Sequence, residues 1–504
     1  MSFLRVFLRS LRPVLAVLAA CLPMPRALAG PPEPASAFEG VDAELMIQID
    51  DLAGQLQTPA GRSLRSLFDG LGVFTRTRSA WEGLSGALDM TPDQAIDHLL
   101  GGRVLIIADD VGAPTMRWAC VMEVSDEIAR LVPARLKASP RDTMDGRAVY
   151  AVEDGRFRVV RIASQDEQGL SAIAIAHAGA DGLLRAGAEL GSRWTGGGAR
   201  GPAGVATVLY RPAPGSWLFG QVHPDGDGWR LSFSATPALF GPTKAGAPTV
   251  SRAWFDRMSG DALFAFTGPV SHDAAAPRGP AGWFDLGPSG LIWRLLPFEA
   301  PEAFVESGAK LASVSLQSAG PGKLDCSLGF LVDDATRAAK VGDAYVCEIL
   351  GAFTGSAGYD QHAPLCAGDY PGAARLQTVD VGEQNAGRSV YGPRLSFVWG
   401  LRPDGEKRDA GWWTMRVLSE NVPDAVATLM RHDTPIDAGG GDRAAILGRL
   451  RPAGLLAAGA EEMPKAAGPI AALRWVDEVS WWVGEPIPTG LLSGELALRM
   501  QADE

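Results

Sequence analysis

His272 is followed by Asp273 and His432 by Asp433, and a neighbouring carboxylate can orient an imidazole for acid–base work. His432-Asp433 is more simply explained as a cation ending the helical run VPDAVATLMRH, where it favours the helix dipole. That leaves His272 and Asp273, in a Pro/Ala-rich loop, as weak acid/base candidates. The six histidines (98, 177, 223, 272, 362 and 432) never fall at metal-ligand spacing. There is no HExxH, no CxxC and no His pair at i, i+4, so no metal is expected. A G-x-S-x-G elbow is also missing, which argues against a standard α/β-hydrolase. Gly196-x-Gly198-x-x-Gly201 matches a dinucleotide fingerprint in letters only. It follows a helical run and precedes a strand, the reverse of what phosphate binding requires, so no cofactor is expected. Asp225-Gly226-Asp227-Gly228 resembles the start of a calcium loop but lacks the closing Glu, and it reads as a turn.

Tryptophan is the unusual count, at 14. Trp412-Trp413 and Trp481-Trp482 stand in strand-like runs, where successive side chains point to opposite faces. One ring of each pair must therefore leave its sheet's core side. It can pack between modules, or it can form a platform on which a polymer or apolar ligand stacks. These four rings are the ligand-platform candidates. The acidic pairs Asp50-Asp51, Asp109-Asp110 and Asp333-Asp334 stand at element ends, and the first and last are natural N-caps.

The N-terminus speaks to location. Arg5, Arg9 and Arg12 precede the apolar run 13–24, and Ala27-Leu28-Ala29 supplies a small-x-small cleavage site before Gly30. Residues 1–29 thus read as a signal peptide, and the protein as periplasmic or secreted. Leu18-Ala19-Ala20-Cys21 also matches a lipobox, so lipid anchoring through Cys21 is the alternative. No apolar run approaches the ~20 residues of a spanning helix, and no transmembrane span is expected in the mature chain. Loss of residues 1–29 removes four arginines and no acid, taking the formal charge from −12 to −16. With no Lys/Arg cluster either, a nucleic-acid partner is not expected. An unidentified envelope or extracellular partner is. Cys120, Cys326, Cys347 and Cys366 then remain, an even count that permits disulfides of undetermined connectivity. Cys120 and Cys326 alternate with apolar residues, which favours free, buried thiols.

The elements that must position these groups follow from periodicity. ELMIQI (44–49) reads as a strand, and Leu64, Leu67, Phe68 and Leu71 recur at helical spacing. Thr91-Pro92-Asp93-Gln94 is a capping box opening a helix that stops at Gly101-Gly102. Strands are expected over 103–109, 117–124, 147–152, 156–163 and 170–177, with helices over 126–137 and 180–190. Connections this short exclude most helical crossovers, so the sheet should be mainly antiparallel. After a Gly-rich linker at 191–204, strands resume over 207–211, 216–222 and 229–235, the last two joined by a turn over His223–Gly228.

Residues 310–334 and 476–500 share a plan of strand, Gly/Pro turn and alternating strand, each with a helical run nearby (335–350 and 443–459). Residues 394–401 with 411–418 make a third hairpin. The expected fold class is α+β: repeated modules of mainly antiparallel sheet with packed helices. Residues 30–190 would form the N-terminal module, 205–350 the middle one and 351–504 the C-terminal one.

Glu44, Thr58-Pro59-Ala60-Gly61, Trp81, Gly101-Gly102-Arg103-Val104, Trp118 and Gly155-Arg156-Phe157 together resemble a family of exported bacterial proteins, catalogued as a domain of unknown function and common in planctomycete-like bacteria. The resemblance implies a repeated α+β architecture and an extracytoplasmic location, and no activity comes with it. The function expected is a non-catalytic extracytoplasmic binding, carrier or scaffold protein. The alternative is an extracytoplasmic hydrolase with a scattered acid/His site.

Overall fold

The computed structural model describes residues 41–70, 82, 85–86, 88–111, 116–135, 139–152, 155–163, 170–195, 206–239, 249–269, 304, 306–320, 323–354, 375–380, 386–391, 396–404, 407–418, 443–458, 473–484 and 490–501. Residues 1–29 with Cys21, and also His272, Asp273, His362, Cys366 and His432, lie outside them. Helices and antiparallel sheet are both present, and sheet dominates. The chain divides into two compact units, 1–239 with 466–479 and 493–504, and 240–465 with 480–492.

The first unit is built on β1 (Leu45–Asp50), β2 (Arg103–Asp109), β3 (Arg117–Ser125), β4 (Ser139–Met144), β5 (Arg147–Val152), β6 (Phe157–Ile162), β7 (Leu170–His177), β8 (Ala206–Ala213), β9 (Ser216–Asp225) and β10 (Gly228–Ala235). Every registered pairing is antiparallel, and the spatial order runs β4, β5, β6, β7, β3, β2, β1, β8, β9, β10. The chain's final strand, Leu492–Met500, pairs with β10. Its helices are α1 (Leu52–Gln55), α2 (Pro59–Gly70), α3 (Pro92–Leu100), α4 (Asp126–Arg135) and α5 (Asp181–Thr195). The capping box of α3 forms as its sequence dictates: the Thr91 amide donates to Gln94 Oε1 at 2.9 Å and the Gln94 amide to Thr91 Oγ1 at 3.3 Å. α5 packs on β7, β3 and β6 over a core that includes Leu105, Ile107, Val121, Val160 and Leu184. Close approach is what Gly191 provides, since a Cβ there would stand 2.7 Å from Ile162 Cδ1. Arg103 and Glu123 form a buried ion pair at 2.9 Å, with the Arg103 guanidinium 5.1 Å over the Trp194 ring.

Several expectations shift here. Helix α5 continues through Thr195, so 191–195 are helical and not linker, and 196–204 lie outside the described residues. The strands after the Gly-rich stretch continue the same sheet, because β8 pairs with β1. Strand β4 went unread because Ser-Pro-Arg-Asp-Thr-Met lacks an apolar alternation, although Asp145-Gly146 behind it is a hairpin signal. Both turn residues have positive φ, 50° and 77°. The turn between β9 and β10 is only Gly226-Asp227, since His223 and Pro224 already pair with Arg230 and Trp229.

The second unit contains β11 (Val250–Ser251), α6 (Arg252–Met258), β12 (Ala262–Pro269), β13 (Leu311–Gly320), β14 (Lys323–Val332), α7 (Ala335–Thr354), β15 (Arg375–Asp380), β16 (Ala386–Tyr391), β17 (Ser396–Asp404), β18 (Lys407–Leu418), β19 (Arg443–Ala444), β20 (Ile446–Leu450) and α8 (Pro452–Ala458). The last two strands of the chain are β21 (Val476–Val483) and β22 (Leu492–Met500). The antiparallel order is β15, β16, β17, β18, β14, β13, β12, β20, with β11 and β19 pairing apart. The expected helix over 443–459 is therefore corrected to two strands followed by a short helix. A brief apolar run such as Ala445-Ile446-Leu447 fits either period, and pairing of Phe264 with Leu450 through Thr267 with Leu447 decides for strand.

Side-chain alternation gives the β17–β18–β14–β13 sheet two different faces. One carries Trp399, Trp413, Met415, Phe330 and Leu328, all buried, and α7 packs on the β17 and β18 side. Phe304 stacks on Phe330 at 4.5 Å and lies 4.7 Å from Trp413, and Tyr345 of α7 meets both Phe304 and Trp413 edge-on. Trp399 Nε1 is satisfied by Asp343 at 2.8 Å. The other face is apolar at one end, where Leu311, Leu331 and Trp412 meet Trp254 and Phe255, and polar along the rest.

Candidate functional site

That polar face follows from the register. Ser313, Ser315 and Gln317 alternate along β13 opposite Gly329, Ser327 and Asp325 of β14. Gly329 and Ser327 lie opposite Thr414 and Arg416 of β18, and Trp412 of β18 lies opposite Arg402 of β17. Because paired residues share a face, a patch of hydroxyls, Gln317, Trp412, two arginines and the Asp325 carboxylate lies on the side away from α7. Helix α6 roofs part of this patch. Ser251 caps its N-terminus, with the Trp254 amide donating to Ser251 Oγ at 3.4 Å, and the helix brings Trp254, Arg257 and Met258 over the strands. Between helix and strands lies a cleft of about 450 Å³ lined by these residues. That is within the ~300–1,000 Å³ usual for small-molecule sites.

Trp412 is the cleft's flat surface. Its indole rests on Gly329, where a Cβ would sit 2.4 Å from the ring, so only glycine admits it. Trp254 stands at 85° to it with centroids 6.3 Å apart, forming an aromatic corner. The floor is small and hydroxylic. Ser313 Oγ and Thr267 Oγ1 bond at 3.0 Å, and Thr414 Oγ1 donates to the Leu328 carbonyl at 3.3 Å. Arg416 is pushed below its ordinary pKa by burial, opposed by the nearby Asp325 carboxylate, and its buried Nε–H has no hydrogen-bond partner among the described residues. Among the described residues the lining holds three arginines and no carboxylate, imidazole or thiol.

The structure separates the four candidate tryptophans. Trp413 belongs to the core beneath α7. Trp481 is buried over Gly448, 6.4 Å from Phe266. Trp482 is half-buried, with the Arg252 guanidinium 4.7 Å above its ring. Of the four, Trp412 lines the cleft, and Trp412 and Trp482 both pack against the cluster that holds Trp254 and Phe255. Each acidic pair has a structural task. Asp51 caps α1 by accepting the Gly54 amide at 2.9 Å, Asp334 caps α7 through the Arg337 amide at 2.8 Å, and Asp109 and Asp110 both pair with Arg117. Among the described residues no three His, Cys, Asp or Glu side chains converge as a metal site, and His98, His177 and His223 belong to the first unit. Cys120 and Cys326 are free thiols.

Sequence reasoning passed over Trp254, Arg257, Arg402 and Arg416 and the serine row. The available signal was polar alternation in Ser313-x-Ser315-x-Gln317 and Trp412-x-Thr414-x-Arg416, which marks one wet face per strand without saying which strands adjoin. The chain matches no protein-family model, no curated protein and no solved structure. Among the described residues no helix is long and apolar enough to cross a membrane.

Proposed function

We propose that this is a non-catalytic extracytoplasmic binding or carrier protein whose ligand site is the cleft of the second unit. The observation that carries the proposal is the cleft's lining: an aromatic corner over a hydroxylic floor, with no carboxylate, imidazole or thiol among its described residues to serve as general acid or base. Export rests on residues 1–29, with Gly30 the mature N-terminus and acylated Cys21 the other processing outcome. Ligand-observed NMR against a panel of polar, ring-bearing fragments tests the site, using the wild type and Ser327→Trp, which fills the floor. Hits lost in the variant, with its circular dichroism unchanged, are expected. A hit set indifferent to the substitution, or no hits, would overturn the proposal.

We also propose that the two units are copies of one module. Two features support this. β2–β3–α4–β4–β5–β6–β7 and β13–β14–α7–β15–β16–β17–β18 run in the same order, a hairpin, a helix and a four-stranded meander. In both, the meander's last strand pairs with the hairpin's second, β7 with β3 and β18 with β14, and a preceding strand, β1 or β12, flanks the hairpin's first.

A further inference from the structure

We infer that the cleft is specific for an acidic sugar unit, a pyranose bearing a carboxylate or a sulfate. The inference rests on the binding role proposed above and adds the chemistry of the ligand. Three features of the site converge on it.

Charge is the first. The full chain is acidic, at −12, yet Arg257, Arg402 and Arg416 line one cleft of about 450 Å³ with no carboxylate among the lining residues. Guanidinium groups stay protonated, and their planar fork matches the two oxygens of a carboxylate or sulfate. Several guanidinium groups lining one cleft offer donors that an anionic ligand can share. Asp325 offsets part of the charge on Arg416, and Asp256 beside the cleft is engaged by Arg449 at 2.9 Å. Neither acid lines the cavity. The buried Arg416 Nε–H has no hydrogen-bond partner among the described residues, and an acceptor on a ligand would satisfy it.

The second feature is the floor. Ser315 and Ser327 stand opposite each other across β13 and β14, with Gln317 and Thr414 on the same face. A row of short side chains that both donate and accept suits adjacent hydroxyls on a ligand, whereas a purely aromatic acid would leave these groups unpaired. The third feature is Trp412. Gly329 supports one face of its indole, so the ring is held flat by backbone. The electron-rich face of an indole attracts the weakly positive C–H groups on one side of a pyranose.

Titration of the full mature chain by NMR and calorimetry with methyl glucuronide, glucose 6-sulfate, methyl glucoside and benzoate tests the inference. One or both acidic sugars should bind about tenfold or more tightly than methyl glucoside, and which of the two binds better assigns the anion as carboxylate or sulfate. Arg416→Gln should remove that preference, and raised salt should weaken binding of the acidic sugars more than that of methyl glucoside. Equal binding of glucoside and glucuronide, tighter binding of benzoate, or no sugar binding would each overturn the inference. If fragments of another chemistry still occupy the cleft, the binding role stands without it. If nothing occupies the cleft, both fall.

Discussion

Trp412 and Trp413 are neighbours in the chain and should differ sharply in what they contribute to stability. Trp413 is 1% exposed and lies 4.7 Å from Phe304, 6.1 Å from Phe330 and 6.4 Å from Tyr345. Trp413→Ala would leave a large cavity in that cluster, costing about 3–5 kcal/mol, with the lost aromatic contacts favouring the upper end. Trp412 is half-buried at the lip of a cleft already open to ligand. Trp412→Ala loses transfer energy over part of one ring and opens little new cavity, so it should cost about 1–2 kcal/mol. At ~2–4 °C per kcal/mol for a unit of this size, Trp413→Ala should lower the melting temperature by about 6–20 °C and Trp412→Ala by a few degrees. Calorimetry of both variants, with urea titrations to check that the m-value holds, measures this. Gly342→Ala is an independent probe, because its Cβ would fall 2.1 Å from Trp413 Nε1. It should cost about 1–3 kcal/mol alone and far less in the Trp413→Ala background. Equal shifts for the two tryptophans, or a larger one for Trp412, would refute the assignment of their faces.

Arg103→Met or Glu123→Leu alone strands a buried charge and should cost about 3–5 kcal/mol, whereas the double variant should recover much of that loss in chemical denaturation. Burial pushes the Cys120 thiol up to about 12 and, with the Asp325 carboxylate, Cys326 up to about 11. Both should resist iodoacetamide at pH 8 and be alkylated once urea unfolds the chain, which peptide mass spectrometry reads directly. Hydrogen bonds from Arg161 and Ser171 hold the Asp126 carboxyl below its ordinary range. A depressed folded-state pKa gives stability that is present above the unfolded value near ~4 and lost as pH falls through the folded one. Acid denaturation of Asp126→Asn should therefore be less steep below pH ~4 than that of the wild type.

The sequence by itself determined what depends on neighbours in the chain. Thr91-Pro92-Asp93-Gln94 closes its own capping box, Asp51 and Asp334 cap the helices that follow them, and Gly155 makes its turn with φ 87° because these interactions span a few residues. Alternation likewise put Trp412 and Trp413 on opposite faces, since a strand's period is two. It could not say which of the two faces would be covered. That was decided by α7 closing over Phe330 and Trp413 and by α6 leaning over the serine row, contacts between residues far apart in the chain. The short apolar runs near 443–450 suited helix and strand equally until β12 offered a partner edge. Arg416 shows the same division most plainly. In the sequence it is one arginine ending an alternating strand, and only the pairing of β18 with β14 and β17 places it beside Ser327 and in one cleft with Arg402 and Arg257. A cleft lined by side chains from four strands and a helix is a property of the register, which pairing and packing set together.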